Sequence, residues 1–364
     1  MSGTRISFLT GQADQPEALE RVVTHLRRQL DGAPADLLRR ARRPLFAGIG
    51  ASYAALAVPV ALLRAHGVAS QRVLASEITQ GTTGFDVDVL IGVSQGGRSS
   101  ETIAAFKEAN AVPRVAVLNV VPSPLGELAE VTVDLGNEPD SYASTIGFTA
   151  TVVALDLIAG VITGRDAAED PWDGIAELGR AVREQAVGVI DLLRVPAARC
   201  VAADVVAAGA SRASAEEGAL LLREVVRMPA SACVTRNYLH GEMESAGQTL
   251  HVVFGDGREV ELARSLSDAG HVTLLVTTRS VEPGGQLNVV RLPETASSAR
   301  VVLETVVVQE LVAALSEERG VPIESFVFAN SDTKEGGVDL ADFTAAAAGA
   351  PSDSDSDPVA VETV

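Results

Sequence analysis

The sequence predicts an α/β fold of two tandem units, each a three-layer αβα sandwich whose parallel sheet is flanked by helices. Three observations carry that reading. Short apolar runs alternate with stretches of helical spacing along most of the chain, which argues for parallel strands covered on both faces. Two of the runs stop abruptly at Gly and Ser, where a strand would feed a helix. The second half then repeats the order of the first.

The elements follow in order. Residues 1–30 read as a lead-in helix and 31–165 as the first unit. LFAGIG (45–50) is an apolar run ending in glycines, and ASYAALAVPVALLRAHG is helical by its apolar spacing, closing at Gly67. VASQRVLASEI supplies a second strand region. VDVLIGVS (87–94) is a buried strand, SETIAAFKEAN a helix, and VPRVAVLNVV and AEVTVDLG are strands. STIGFTATVVALDLIAGVITG (144–164) is a long helix. Residues 166–195 form a helical connector, and 196–318 the second unit. There, CVAADVVAAGAS (200–211) mirrors PLFAGIGAS, and AEEGALLLREVVRM is the helix after it. LHVVFGDGREVELARSLSDAG matches VLIGVSQGGRSSETIAAFKEAN: strand, Gly-rich turn with an Arg, helix. Gly50 to Ser94 spans 44 residues and Gly209 to Asp256 spans 47. VTLLVTT and LNVVRL are strands before a helix from about 296 to 315. Residues 319–340 read as a tail returning to the site, and 341–364 as a disordered acidic tail.

Composition narrows the function. The chain has 364 residues, 47% of them hydrophobic but only 4% aromatic, so the core is Ala, Val and Leu. A formal net charge of −19 disfavours a nucleic-acid binder. Cys200 and Cys233 form neither a metal-ligand spacing nor a disulfide framework, which fits a reducing cytoplasm. No cofactor or metal is expected. The N-terminus has no apolar targeting segment, and apolar stretches such as 56–63 are too short to span a bilayer. Only Lys107 and Lys334 are lysines, against 27 arginines.

The stretch VLIGVSQGGRSSET (89–102) holds the clearest chemical signal. A strand gives way to small and hydroxyl residues just before a helix begins. Glycines let the backbone approach a ligand, and a helix N-terminus presents unpaired N–H groups to an anion. A plain strand-to-helix turn would look much the same. Ser52 and Ser94 both fall at carboxyl ends of predicted strands in one half, where open parallel sheets bind ligands.

These motifs together resemble the double sugar isomerase (SIS) family, as in the isomerase part of glucosamine-6-phosphate synthase. Six matches over most of residues 8–330 carry the resemblance. FLTGQADQPEAL resembles the opening Glu-Ile-x-Glu-Gln-Pro signature, GIGASYAA resembles Gly-x-Gly-Thr-Ser-x-x-Ala, and VSQGGRSSET resembles the phosphate loop Ser-Gln-Ser-Gly-Glu-Thr. YASTIGFT resembles Ala-Ser-Thr-Lys-x-Phe-Thr, and EGALLLREVV resembles Glu-Gly-Ala-Leu-Lys-Leu-Lys-Glu-Ile. LHGE follows Glu224 with His240 16 residues on, the family spacing.

The resemblance implies roles. Ser52, Ser94, Gln95, Gly96, Gly97, Ser99, Ser144 and Glu217 would hold a sugar phosphate. Glu224 would carry a proton between C1 and C2 through an enediol, and His240 would open the sugar ring, reaching a neighbouring subunit in a homodimer or larger even oligomer. Such chemistry needs a carboxylate of raised pKa and an acid suited to neutral pH. A tail lysine completes the family site; Lys334 is the candidate here, although ungapped alignment puts Ser331 at that position. Glu217 and Glu224 lie seven apart, on one side of a helix. The chain also departs from the family. Gly96 stands where the loop has Ser, Arg98 where it has Glu, Ala51 where Thr is usual, and Ile146 and Leu221 replace lysines. Arg98 is expected to offset the lost hydroxyls with a contact to the anion.

Three functions remain open. One is a sugar-phosphate isomerase, alone or coupled to amine addition or removal. Another is a deglycase acting on sugar–amine adducts with the same Glu and His. The third is a non-catalytic sugar-phosphate sensor, disfavoured because too few residues precede position 45 for a DNA-binding helix-turn-helix. Ser2 follows Met1 where the family's glutaminase domain needs Cys. Amine transfer is therefore expected to draw on free ammonia or a separate ammonia-supplying subunit.

Overall fold

The computed structural model describes residues 5–78 and 86–338; the stretch 341–364, expected as a tail, lies outside the described residues. The chain enters through a helix, Phe8–Gln29, started by Ser7, whose hydroxyl accepts from the Thr10 N–H at 3.1 Å. Phe8, Leu19, Val22, Val23 and Leu26 recur at helical spacing and form its buried face.

The first sheet contains β1 (Pro44–Gly48), β2 (Gln71–Leu74), β3 (Val89–Val93), β4 (Arg114–Leu118) and β5 (Val131–Asp134). The second contains β6 (Ala202–Ala207), β7 (Ala230–Val234), β8 (Thr249–Phe254), β9 (Thr273–Thr277) and β10 (Leu287–Arg291). Every pairing is parallel. The orders are β2-β1-β3-β4-β5 and β10-β9-β8-β6-β7. Taken from β7, the second order repeats the first. β7 was not anticipated. Its ASACV is mostly exposed at the sheet edge, so it offers no apolar run to recognise.

Successive residues of the buried strands face opposite sides of each sheet. Phe46, Ile91 and Val117 of the first sheet and Val205, Val252 and Leu274 of the second join one core with the helices between them. Their neighbours Leu45, Leu90 and Ala116 pack outward against Ile103 and Phe106 of the helix Ser100–Glu108. Val206, Val253 and Leu275 do the same with Leu262 and Leu266 of the helix Arg258–Asp268. The central strands are thus covered on both faces, as their apolar runs required. The connector is the helix Ile175–Ala198, which continues three residues beyond the expected end.

One expectation needs correcting. The helix Ile146–Thr163 is 18 residues long and apolar enough to cross a bilayer. Of its residues, 89% are buried within the protein, and it serves as a core helix. Its one carboxylate, Asp156, is fully buried and held by Arg165 at 2.8 Å and by the Trp172 indole N–H at 2.9 Å. A buried charge stays only when it is paired in this way.

Candidate active site

β1 and β3 are neighbours, and the chain leaves them in opposite directions, towards β2 and β4. Such a reversal opens a crevice beyond the strand ends. A cavity of about 400 Å³ lies there, lined by Ser52 after β1 and by Ser94, Gln95, Gly96, Arg98 and Ser99 after β3. The sharp turn is made by Gly97, with φ +61°, packed so closely that a Cβ would lie 2.1 Å from the Ser123 hydroxyl. Ser99 then caps the helix Ser100–Glu108, accepting from the Thr102 N–H at 3.3 Å. The sequence therefore builds hydroxyls and a helix N-terminus on one wall.

The opposite wall comes from distant parts of the chain. Glu224 ends the helix Arg212–Glu224 of the second unit and lines the cavity. Burial raises its carboxyl pKa to about 7, against the opposing pull of Lys334. Lys334 also lines the cavity, with its Nζ 5.2 Å from the centre of the Tyr142 ring. Of the two tail positions considered, Lys334 lines the cavity and Ser331 does not.

The floor includes Asp140. Its carboxylate accepts from Gln95 Nε2 at 2.6 Å, Ser144 Oγ at 2.8 Å, and the Thr145 N–H and hydroxyl at 2.9 Å each. Gln95 is therefore oriented by a residue 45 positions away. Ser144 has both its roles taken, since it also accepts from the Phe148 N–H at 2.8 Å, and it does not line the cavity.

Gly97, Glu217 and His240 do not line it either. Gly97 shapes the loop from beneath. Glu217, expected to touch substrate, is only 1% exposed, and neither carboxylate oxygen has a hydrogen-bond partner. Burial first, then Glu224 and Asp140, push its pKa well above the usual carboxylate range, and it does not reach the cavity. Lysines at 146 and 221 would have brought positive charge into this region; Ile146 and Leu221 are buried apolar residues. His240 is exposed and outside the cavity of its own chain. Arg98 lines the cavity and also reaches the tail, donating from Nε to the Glu335 carbonyl and from Nη2 to the Gly337 carbonyl, each at 2.8 Å. Sequence reading missed Arg5, Glu101, Asn119, Glu138, Asp140 and Tyr142 on the wall. Glu101 belongs to the loop-helix stretch already singled out, while no spacing signal marks the others, which long-range packing brings there.

The corresponding strand ends of the second unit are occupied internally. Arg300 pairs with Asp256 after β8 and, at 2.7 Å, with the fully buried Glu304. Glu304 accepts from Ser211 and Ser214 at 2.9 and 2.7 Å. Burial alone would raise Asp256, but Arg300, the Thr278 N–H and the Thr277 hydroxyl hold it at about 2. There the protein's own carboxylates take the donors.

Residues 37–160 match the SIS domain family. The chain is 27% identical over 84% of its length to a glutamine–fructose-6-phosphate aminotransferase (isomerizing) of Pyrobaculum aerophilum, covering 54% of that protein. It is 25% identical over 78% of its length to the corresponding enzyme 1 of Arabidopsis thaliana, covering 45%. The chain thus spans about half the length of the curated relatives it matches. Its fold matches the C-terminal domain of glucosamine-fructose-6-phosphate aminotransferase from Francisella tularensis, with TM-score 0.75 and 18% identity over 87% of this chain and 97% of that one. Residues 37–160 thus match a SIS domain, and the fold of the whole, two parallel five-stranded sheets flanked by helices, is that of two tandem SIS-like units, as in the C-terminal domain of that aminotransferase.

Proposed function

We propose that this chain is a sugar-phosphate aldose–ketose isomerase acting through an enediol, with Glu224 as the proton shuttle. The observation that carries the reading is Glu224 itself: a carboxyl on the cavity wall, tuned to about 7, facing the hydroxyl-rich loop after β3. A carboxylate in that range can take a proton from one carbon and return it to the next near neutral pH. Ser52, Ser94 and Ser99 would hold the phosphate, with the N-terminus of the helix Ser100–Glu108 behind them. Lys334 would offset the negative charge that develops on the enediol oxygens. Ring opening by His240 would require a second copy of the chain, since His240 lies outside its own cavity. The curated relatives are named as isomerizing aminotransferases, so the isomerisation here is open to coupling with amine transfer.

The test is a set of hexose and hexosamine 6-phosphates, incubated with and without ammonium. The account expects an aldose–ketose interconversion that needs no ammonium and that Glu224→Gln slows by roughly 10²–10⁴-fold. Turnover confined to sugar–amine adducts would instead make the protein a deglycase. Binding with no turnover of any kind would make it a sensor.

A further inference from the structure

The loop after β3 is fastened to the end of the described chain. Arg98 donates from Nε to the Glu335 carbonyl and from Nη2 to the Gly337 carbonyl, both at 2.8 Å. Its own carbonyl accepts from the Glu335 N–H at 2.8 Å. Ser100 Oγ donates to the Asp332 carbonyl at 2.8 Å, and Ser99 and Lys334 form an antiparallel bridge. Gly336 and Gly337 both take positive φ, 78° and 79°, and a Cβ on Gly336 would lie 2.9 Å from Arg98 Nη2. The tail therefore wraps the guanidinium closely, and the planar fork suits two converging carbonyls.

We propose that Arg98 is a positioning residue: it locks the segment 332–337 onto the anion loop and so holds Lys334 in place opposite Glu224. The proposal rests on the reading of the cavity as the sugar-phosphate site. It assigns Arg98 a use different from direct contact with the anion. The loop and the lysine become one rigid piece, so the two ends of a bound sugar phosphate would be gripped in fixed register.

Two measurements test it, and neither needs turnover. Amide hydrogen exchange in Arg98→Ala should quicken at least tenfold at Glu335 and Gly337, while the helix Ser100–Glu108 keeps its protection. Arg98→Lys should restore only part of that protection, because an ammonium cannot fork. Unchanged exchange at Glu335 and Gly337 in Arg98→Ala would overturn the proposal. The chain has only two lysines, so ¹³C reductive methylation gives a simple spectrum, assigned with Lys107→Arg. The Lys334 signal should be distinct in the native protein and collapse toward that of exposed Lys107 in Arg98→Ala. A Lys334 signal indifferent to Arg98→Ala would equally overturn it. If no sugar phosphate is turned over, the isomerase reading fails while these two measurements still decide the role of Arg98.

Discussion

Glu224 shows how one carboxyl is tuned towards neutral pH. Burial disfavours its charge, and Lys334 restores part of what burial takes, leaving the pKa at about 7. A base must be ionised, so kcat/KM should fall as pH drops below about 7. Lys334 lowers the Glu224 pKa, so Lys334→Ala should move that acid limb to higher pH, besides reducing the rate. A pH profile of the variant with its acid limb unmoved would separate Lys334 from Glu224. Glu224 was legible through the family resemblance, which rests on the EGALLLREVV helix and the family spacing to His240. Asp140 was not. Its function in orienting Gln95 depends on a contact across 45 residues, which no local pattern records. Glu217 was legible as a partner of Glu224 on the helix, but not as a buried acid behind the wall. That depends on what packs around it.

At the scale of elements, the anion loop is the most demanding piece of backbone. Gly97 combines a left-handed φ with a contact that leaves no room for a side chain. Gly97→Ala should therefore destabilise the protein by about 1–3 kcal/mol and raise KM for phosphorylated substrates. Thermal unfolding together with steady-state kinetics checks it, and a variant with native Tm and KM would show the turn to be tolerant. The strands buried on both faces were legible from their continuous apolar runs. β7 was hidden because an exposed edge strand carries no such run. The apolar run of Ile146–Thr163 was visible, yet only its surroundings tell a core helix from a membrane span.

For the whole molecule, the repeated succession of strands and helices was readable from the sequence apart from β7, whereas the unequal use of the two strand-end regions was not. The first crevice is a cavity that combines the loop after β3, the helix end at Glu224 and the tail at Lys334. In the second, Arg300 is committed to Asp256 and Glu304. His240 lies away from its own cavity, so the account expects each site to be completed by a neighbouring copy. Mixing Glu224→Gln with His240→Asn, each inactive on the cyclic sugar, should restore part of the activity, while no recovery after subunit exchange would keep each site within one chain. The central claim is that Glu224 moves a proton between adjacent sugar carbons, and solvent exchange tests it most directly. In deuterium oxide, the native protein should place deuterium at C1 or C2 of recovered sugar phosphate, and Glu224→Gln should not. Exchange by Glu224→Gln at the native rate would contradict the account.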